Sequence, residues 1–449
     1  MPTSPPRVIV IGAGFGGLCL AHGLKRAGIA VDVYERDRTR ADGLHGYRVG
    51  IDPDGARALK ASLPPDLFDT FAATCARPPR RLTMVSEKLR TTLDIPFDPG
   101  SDPAESEHSV SRMTLRQVLL TGLEDTVHFD KAFTHYQQHD DGTVTAHFAD
   151  GGSATGDLLV AADGANSRVR RQYLPHAQVL DSGIIGLTAK VPLTDATRDL
   201  LPEHVRMGVG LVMAPRGFGG ILHTMEFKWD RDGTLKHDVG GNDAELISRW
   251  PGLLYDNTRD YINWAIWAAK GKFPADVLTR RGRDVADLAL RLTPGWHPNL
   301  RRLMDLSDDS SAFAINIRTS VPVAPWRPSP VTLLGDAIHT MTPGQGVGAN
   351  TALRDAVLLC RKLTAHRDGQ LPLLEAVGEY ETRMRDYGYR AVLASRERMN
   401  AEALIHKPYI GRAALGLQRT MLRTVNHTPP LKRKFTAQMA GTRGSGREE

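Results

Sequence analysis

Residues 7–11 are a short β-branched run that stops at glycine, the pattern of a buried strand. Residues 16–27 then read as a helix, closed by Gly28 where a left-handed residue ends a helix easily. The strand pattern returns at 30–34. Strand, helix and strand in this order predict a βαβ unit, and with it a doubly wound α/β region at the start of the chain. Further on, 52–63 reads as a helix with Pro53 in its first turn, 77–95 as strands, 96–107 as a loop and 114–123 as a helix. Residues 127–159 read as a β meander turning at 140–142 and 150–152, and 157–161 as one more apolar strand. Strands at 183–191, 209–213, 220–227, 262–268 and 312–317 predict a second sheet. A charged, glycine-rich turn region is expected at 229–241, and helices at 284–292 and 298–306. The run 331–334 returns to the first region, long helices follow at 350–364 and 374–403, and the tail after Gly441 reads as disordered.

Composition narrows the class. A chain of 449 residues with 41% hydrophobic and 24% charged positions is a folded protein that divides its core between two domains. The net charge of +6 and pI ≈ 9.2 raise the question of nucleic acid. The basic residues are scattered, however. The densest runs, 168–171, 432–434 and 361–362, are short and without interleaved aromatics, so no nucleic-acid partner is expected. Cys19, Cys75 and Cys360 have no metal-ligand spacing, and Cys19 and Cys360 fall in apolar helical stretches. A reducing, cytoplasmic setting is expected, with no metal. No run of about 18 apolar residues is present, and residues 1–7 lack a signal-peptide pattern, so no membrane span is expected.

The first motif explains the first glycines. Residues 9–17 read I-V-I-G-A-G-F-G-G, with Gly12, Gly14 and Gly17 in G-x-G-x-x-G register and Phe15 and Gly16 between them. Gly12 permits the tight turn, Gly14 lets backbone approach a pyrophosphate, and Gly17 lets helix and strand pack closely. The helix N-terminus offers N–H groups and a positive dipole end to phosphate. Glu35 ends the second strand 18 residues after Gly17, near the spacing of a carboxylate that holds a ribose. This constellation binds a dinucleotide without separating NAD from FAD.

A second glycine-rich stretch, 331–350, reads V-T-L-L-G-D-A-I-H-T-M-T-P-G-Q-G-V-G-A-N. Asp336 at a strand end suits a sugar-alcohol hydroxyl. Gly344, Gly346 and Gly348 let a flat ligand lie against bare backbone, and the N-terminus of a helix starting near Ala349 suits the negative edge of a reduced flavin. Between the two stretches stands 158–168, L-L-V-A-A-D-G-A-N-S-R. The three motifs in this order resemble the class A flavoprotein monooxygenases, the para-hydroxybenzoate hydroxylase type, over roughly residues 7–400.

The resemblance implies a Rossmann-like FAD-binding domain of α/β class in three pieces, 1–76, 111–180 and 326–400. It also implies a β-sheet substrate domain inserted as 77–110 and 181–325, and a C-terminal helical tail at 401–449. It assigns Glu35, with Arg36 beside it, to the adenosine ribose and Arg112 to the ribose–pyrophosphate region. Asp163 and Gly164 go to a motif tied to FAD and NAD(P)H. Asp336 goes to the pyrophosphate–ribityl region, Pro343, Gly346 and Gly348 to the isoalloxazine ring, and Ala349 and Asn350 to the helix beneath it. The implied chemistry is reduction of FAD by NADPH or NADH, formation of a flavin C4a-hydroperoxide with O2, and oxygen transfer to a small aromatic or polycyclic compound, in a monomer or homodimer.

Several residues keep two readings. Arg48 lies on a strand that should pass under the flavin; it either donates to flavin or substrate or pairs with a carboxylate. Asp163 alone would read as a turn cap. His339 reads as a loop-orienting group ahead of an acid–base one. Trp264 and Trp267 fall on opposite strand faces, so one can line a cavity, although both read as structural. His45, Tyr47 and His223 are pocket candidates by their strands alone. An epoxidase or Baeyer–Villiger outcome stays open. A halogenase would carry Trp-x-Trp-x-Ile-Pro, which the Trp264–Trp267 spacing does not match. A reductase, a non-catalytic flavin-binding sensor or scaffold and a simple NAD-dependent dehydrogenase complete the alternatives.

Overall fold

The computed structural model describes residues 5–40, 48–97, 100–227, 260–407 and 409–442. It is a mixed α/β protein. The opening strand Val8–Ile11 pairs in parallel with Leu158–Ala161 on one side and Val31–Tyr34 on the other. Val331–Leu333 and Val127–His128 complete a five-stranded parallel sheet. Its central strands are buried at every position, as expected where helices cover both faces and no alternation is required. The helix Phe15–Arg26 packs so tightly on Gly348–Arg367 that a Cβ on Gly16 would come within 3.1 Å of the Ala352 carbonyl.

A seven-stranded sheet carries a second core. From one edge its strands run Phe313–Ser320, Val179–Pro192, Tyr261–Ala269, Gly219–Met225, Gly208–Met213, Arg81–Ser86 and Thr91–Pro96. Neighbours are antiparallel except Gly208–Met213 beside Arg81–Ser86. The helices Arg283–Leu292 and Pro298–Asp305 bury Val285, Leu288, Leu300 and Leu303 against it. A two-stranded ribbon, Arg48–Ile51 with His108–Ser111, leads into the helices Pro53–Ser62 and Arg112–Leu120.

The structure departs from expectation in places. Val127–His128 leaves the expected meander and joins the parallel sheet, because its backbone pairs with Val33 and Tyr34; the antiparallel sheet begins only at Phe133. The helix expected at 114–123 starts two residues earlier, which puts Arg112 in its first turn. The helix expected at 374–403 stops at Arg398. The helix Pro65–Thr74 was not anticipated. Beyond residue 400, Ile410–His427 and Pro429–Thr442 are helices. The turn region at 229–241, His45, Tyr47 and the tail from 443 lie outside the described residues.

Candidate active site

The glycine turn is forced by sterics. Gly12 has φ +107°, and a Cβ there would lie 2.5 Å from the Ala162 carbonyl oxygen. A Cβ on Gly17 would lie 2.3 Å from the Gly12 carbonyl oxygen. No side chain caps the helix that follows, and its first turn has no acidic residue. Its N–H groups therefore keep their donors for a ligand. Glu35 is buried; its Oε2 accepts from Ala13 N at 2.7 Å and its Oε1 from Asp37 N at 3.0 Å, so it braces the turn as well as facing the cavity. Arg116 is a site residue that sequence reasoning missed. Its guanidinium donates to the Ala13 carbonyl at 3.3 Å and to Asp37 at 2.8 Å. The available signal was its position one helical turn after Arg112, on the same face.

Asp163 and Gly164 follow the strand Leu158–Ala161. Asp163 Oδ2 accepts from Arg168 N at 2.8 Å, the turn-capping bond of the plain reading. Its Oδ1 is buried with no hydrogen-bond partner among the described residues. Burial raises the Asp163 pKa, and hydrogen bonds from Ser167 and the Arg168 N–H oppose the rise. A buried oxygen left without a donor is costly unless a ligand supplies one.

The late motif is held from behind. Gly335 turns at φ +60°, and Asp336 opens the short helix Asp336–His339. Asp355, fully buried on Gly348–Arg367, takes three donors: Gly335 N at 2.7 Å, His339 Nε2 at 2.6 Å and the Tyr387 hydroxyl at 2.5 Å. His339 is buried too. Burial lowers its pKa, but the adjacent Asp355 carboxylate outweighs that and leaves it above the ordinary histidine value. This arrangement fits the loop-orienting reading of His339. Asp336 projects into the cavity, where the crowding protein raises its pKa against the opposing charges of His339 and Arg112.

Gly12, Gly14, Phe15, Gly16, Gly17, Glu35, Arg36, Arg48, Arg112, Asp163, Gly164, Asp336, Pro343, Gly346, Gly348 and Ala349 all line one cavity of about 1630 Å³. Asn350 does not. The helix starts at Gly348, and the Asn350 amide turns back to the ribbon, accepting from Asp52 N and donating to the Gly50 carbonyl, both at 3.1 Å. Asn350 therefore joins that helix to the Arg48 strand.

Much of the remaining wall of the cavity is apolar and comes from the seven-stranded sheet. Val209, Leu211, Ile221, Ile315 and Ile317 line it. Trp267 lines it as well, over Gly219, where a Cβ would lie 2.5 Å from the indole. Trp264, on the opposite face, is core, with its Nε1 donating to Ser307 Oγ at 2.9 Å. Arg48 stands at the junction of the two parts. Its Nε donates to Ser109 Oγ at 3.0 Å and its Nη1 to His223 Nε2 at 3.1 Å, which requires the proton of a neutral His223 on Nδ1. Sequence reasoning also missed the wall supplied from beyond residue 400, where Gln418, Met421, Leu422, Phe435, Gln438 and Met439 close one side.

The residues present fit FAD. The uncapped helix after the glycine turn, the unpartnered Asp163 oxygen and the bare backbone at Gly346 (φ +69°, no atom within 4 Å of a Cβ) each offer what a dinucleotide with a flat ring needs. The volume exceeds the range of about 300–1,000 Å³ that serves one small ligand. There is room for a cofactor and a substrate together.

Known proteins give the same picture. The family described as an FAD binding domain matches residues 6–211 and 305–392. The dual O-methyltransferase/FAD-dependent monooxygenase CTB3 of Cercospora beticola is 32% identical over 412 residues, 86% of this chain and 45% of its own length. This chain thus spans about half the length of the first curated relatives it matches. An FAD-dependent urate hydroxylase of Klebsiella pneumoniae is 29% identical over 87% of this chain and 89% of its own. A crystal structure from Photorhabdus luminescens, of a protein assigned as an FAD-containing monooxygenase, is 32% identical with a TM-score of 0.75, covering 88% of this chain and 98% of that one.

Proposed function

Since the chain belongs to the FAD-binding-domain family, we propose that it is an FAD-dependent monooxygenase, using NADPH or NADH and O2 to oxygenate a small, largely apolar, aromatic or polycyclic compound. The observation that carries this reading is one cavity lined both by the dinucleotide turn and by apolar residues of the seven-stranded sheet. The same reading makes the parallel sheet a Rossmann-like FAD-binding domain assembled from three chain segments, with the seven-stranded sheet as an inserted substrate domain.

Bound FAD supplies the redox chemistry and O2 activation that side chains lack. The chain's own part is to bind, orient and dry. The N–H groups after Gly14 and the Arg112 guanidinium hold the pyrophosphate region, and Glu35 accepts from the adenosine ribose. Asp336 accepts from the ribityl side, held in place by the Gly335–Asp355 bond behind it. Pro343 and the glycines through Gly348 offer a flat backbone surface, and the uncapped start of Gly348–Arg367 directs N–H donors toward it. Arg48, fixed by Ser109 and His223, places its guanidinium at the boundary between cofactor and substrate. The aliphatic walls exclude water from that boundary and strengthen every polar contact made there. They favour a substrate with broad apolar faces.

The test is oxidation of NADPH and NADH in air by purified protein, across a panel of phenols and polycyclic aromatics, with product masses measured. A yellow protein whose oxidation rate rises with one compound, giving a product heavier by one oxygen, supports the proposal. NAD(P)H oxidation that leaves every compound at its original mass sends the electrons to O2 alone and contradicts the proposal, and a product heavier by two hydrogens makes the protein a reductase instead.

A further inference from the structure

The C-terminal helix pair has a surface that oxygenation chemistry does not use. From residue 403 to 442 the sequence holds seven Lys or Arg and no Asp or Glu. The segment lies after residue 392, the last matched to the family. Its inner side is fixed. Leu415 and Leu422 are buried, the Arg419 guanidinium bonds Glu87 and the Met213 carbonyl, and Asn426 Oδ1 accepts from Asp94 N at 3.1 Å. With that side committed, the outer side must face outward.

That outer side is apolar where a solvated helix would be polar. Ile410, Leu417 and Met421 stand at i, i+7 and i+11, within an arc of about 40° at 100° per residue. Leu417 is 74% exposed and Met421 58%. Leu404, Tyr409 and Leu431 add exposed apolar surface beside them. Arg412 and Arg423 fall on the far side of the helix from this stripe, next to its buried side, whereas Lys407, Arg433 and Lys434 are exposed on the segments that flank it. Exposed aliphatic residues on a helix flanked by exposed cations mark an element that lies on a bilayer surface. No helix among the described residues is long and apolar enough to cross a membrane. Met421 also lines the cavity, as do Gln418 and Met439, so the stripe borders the mouth of the apolar chamber.

We propose that the helix pair Ile410–His427 and Pro429–Thr442 rests on an anionic lipid surface, with the exposed stripe in the acyl boundary and the flanking Lys407, Arg433 and Lys434 on the headgroups. Such docking sets the cavity mouth against the bilayer and lets a lipophilic compound pass in without crossing water. The docking stands apart from the oxygenation reading, since it needs neither flavin nor turnover.

The test is cosedimentation of the full chain with vesicles of phosphatidylcholine alone and of phosphatidylcholine with phosphatidylglycerol. Wild type binds the phosphatidylglycerol vesicles, and added salt releases it. Leu417→Glu lowers the partition coefficient about tenfold. The double change Arg433→Glu with Lys434→Glu does the same, and the circular dichroism of both variants stays unchanged. The inference is overturned if wild type stays in the supernatant, binds both vesicle types equally, or keeps full binding in the Leu417→Glu variant. It is overturned equally by a concentration-dependent dimer that Leu417→Glu abolishes in the absence of vesicle binding, because the stripe would then belong to a second copy of the chain.

Discussion

Glu381 lies on the helix Leu373–Arg398, behind the strand that delivers Asp336 to the site. It is buried; Oε1 accepts from Thr332 Oγ1 at 2.8 Å, and Oε2 has no partner among the described residues. Burial pushes its pKa from 4.5 up to about 7, against the opposing Thr332 bond. Below pH 4.5 the folded and unfolded chains both hold the proton, and nothing is lost. Between 4.5 and about 7 the unfolded chain has released its proton while the folded chain retains it, so stability falls as pH rises. Above about 7 the folded chain carries a buried anion and the loss is complete. At about 1.4 kcal/mol per pH unit, that loss is roughly 3 kcal/mol. Glu381→Gln imitates the protonated carboxyl permanently and removes the loss. With an unfolding entropy of about 2.1 cal/mol/K per residue, the gain at pH 8 corresponds to a rise in Tm of roughly 3 °C. Calorimetric scans of both proteins at pH 5 and pH 8 provide the assay. The offset should appear at pH 8 and shrink at pH 5. A variant that melts lower than wild type at pH 8, or with the same offset at both values, refutes the reasoning.

Three further changes probe the site. Gly17→Ala puts a Cβ against the Gly12 carbonyl and should open the turn; the protein should purify without flavin absorbance, and full flavin content would show that the turn tolerates the methyl. Asp355→Asn substitutes a neutral amide for the acceptor shared by Gly335, His339 and Tyr387. FAD affinity, read by fluorescence titration, should fall about tenfold or more with the circular dichroism spectrum preserved, and an unchanged affinity would remove Asp355 from the support of Asp336. Arg48→Ala should slow flavin reduction or oxygenation at least tenfold without unfolding; unchanged kinetics would leave Arg48 a structural role only.

The glycine turn was legible in the sequence because backbone sterics dictate it. Only glycine fits φ +107° at residue 12, and only glycine at residue 17 clears the Gly12 carbonyl. Strand parity likewise put Trp264 and Trp267 on opposite faces, but parity does not say which face meets a cavity. That depended on Gly219 from the neighbouring strand leaving room for an indole. Contacts between distant segments were hidden for the same reason. The Asp355–His339 pair spans a loop, Arg116 reaches its partners only once the ribbon sets its helix beside the turn, and Asn350 binds a strand 300 residues away. The helices beyond 400 read as a tail because their buried face is narrow, Leu415 and Leu422 on Ile410–His427, and their outer face breaks the amphipathic rule.

The most direct test of the central claim is a turnover under 18O2 in ordinary water, using flavin-loaded protein, NADPH or NADH, and the compound that most stimulates oxidation. The product should carry one 18O atom, with the other leaving as water, and the signal should vanish when the flavin is stripped and return on reconstitution with FAD. A product whose added oxygen comes from water, or a reaction that proceeds equally in protein without flavin, would contradict the assignment.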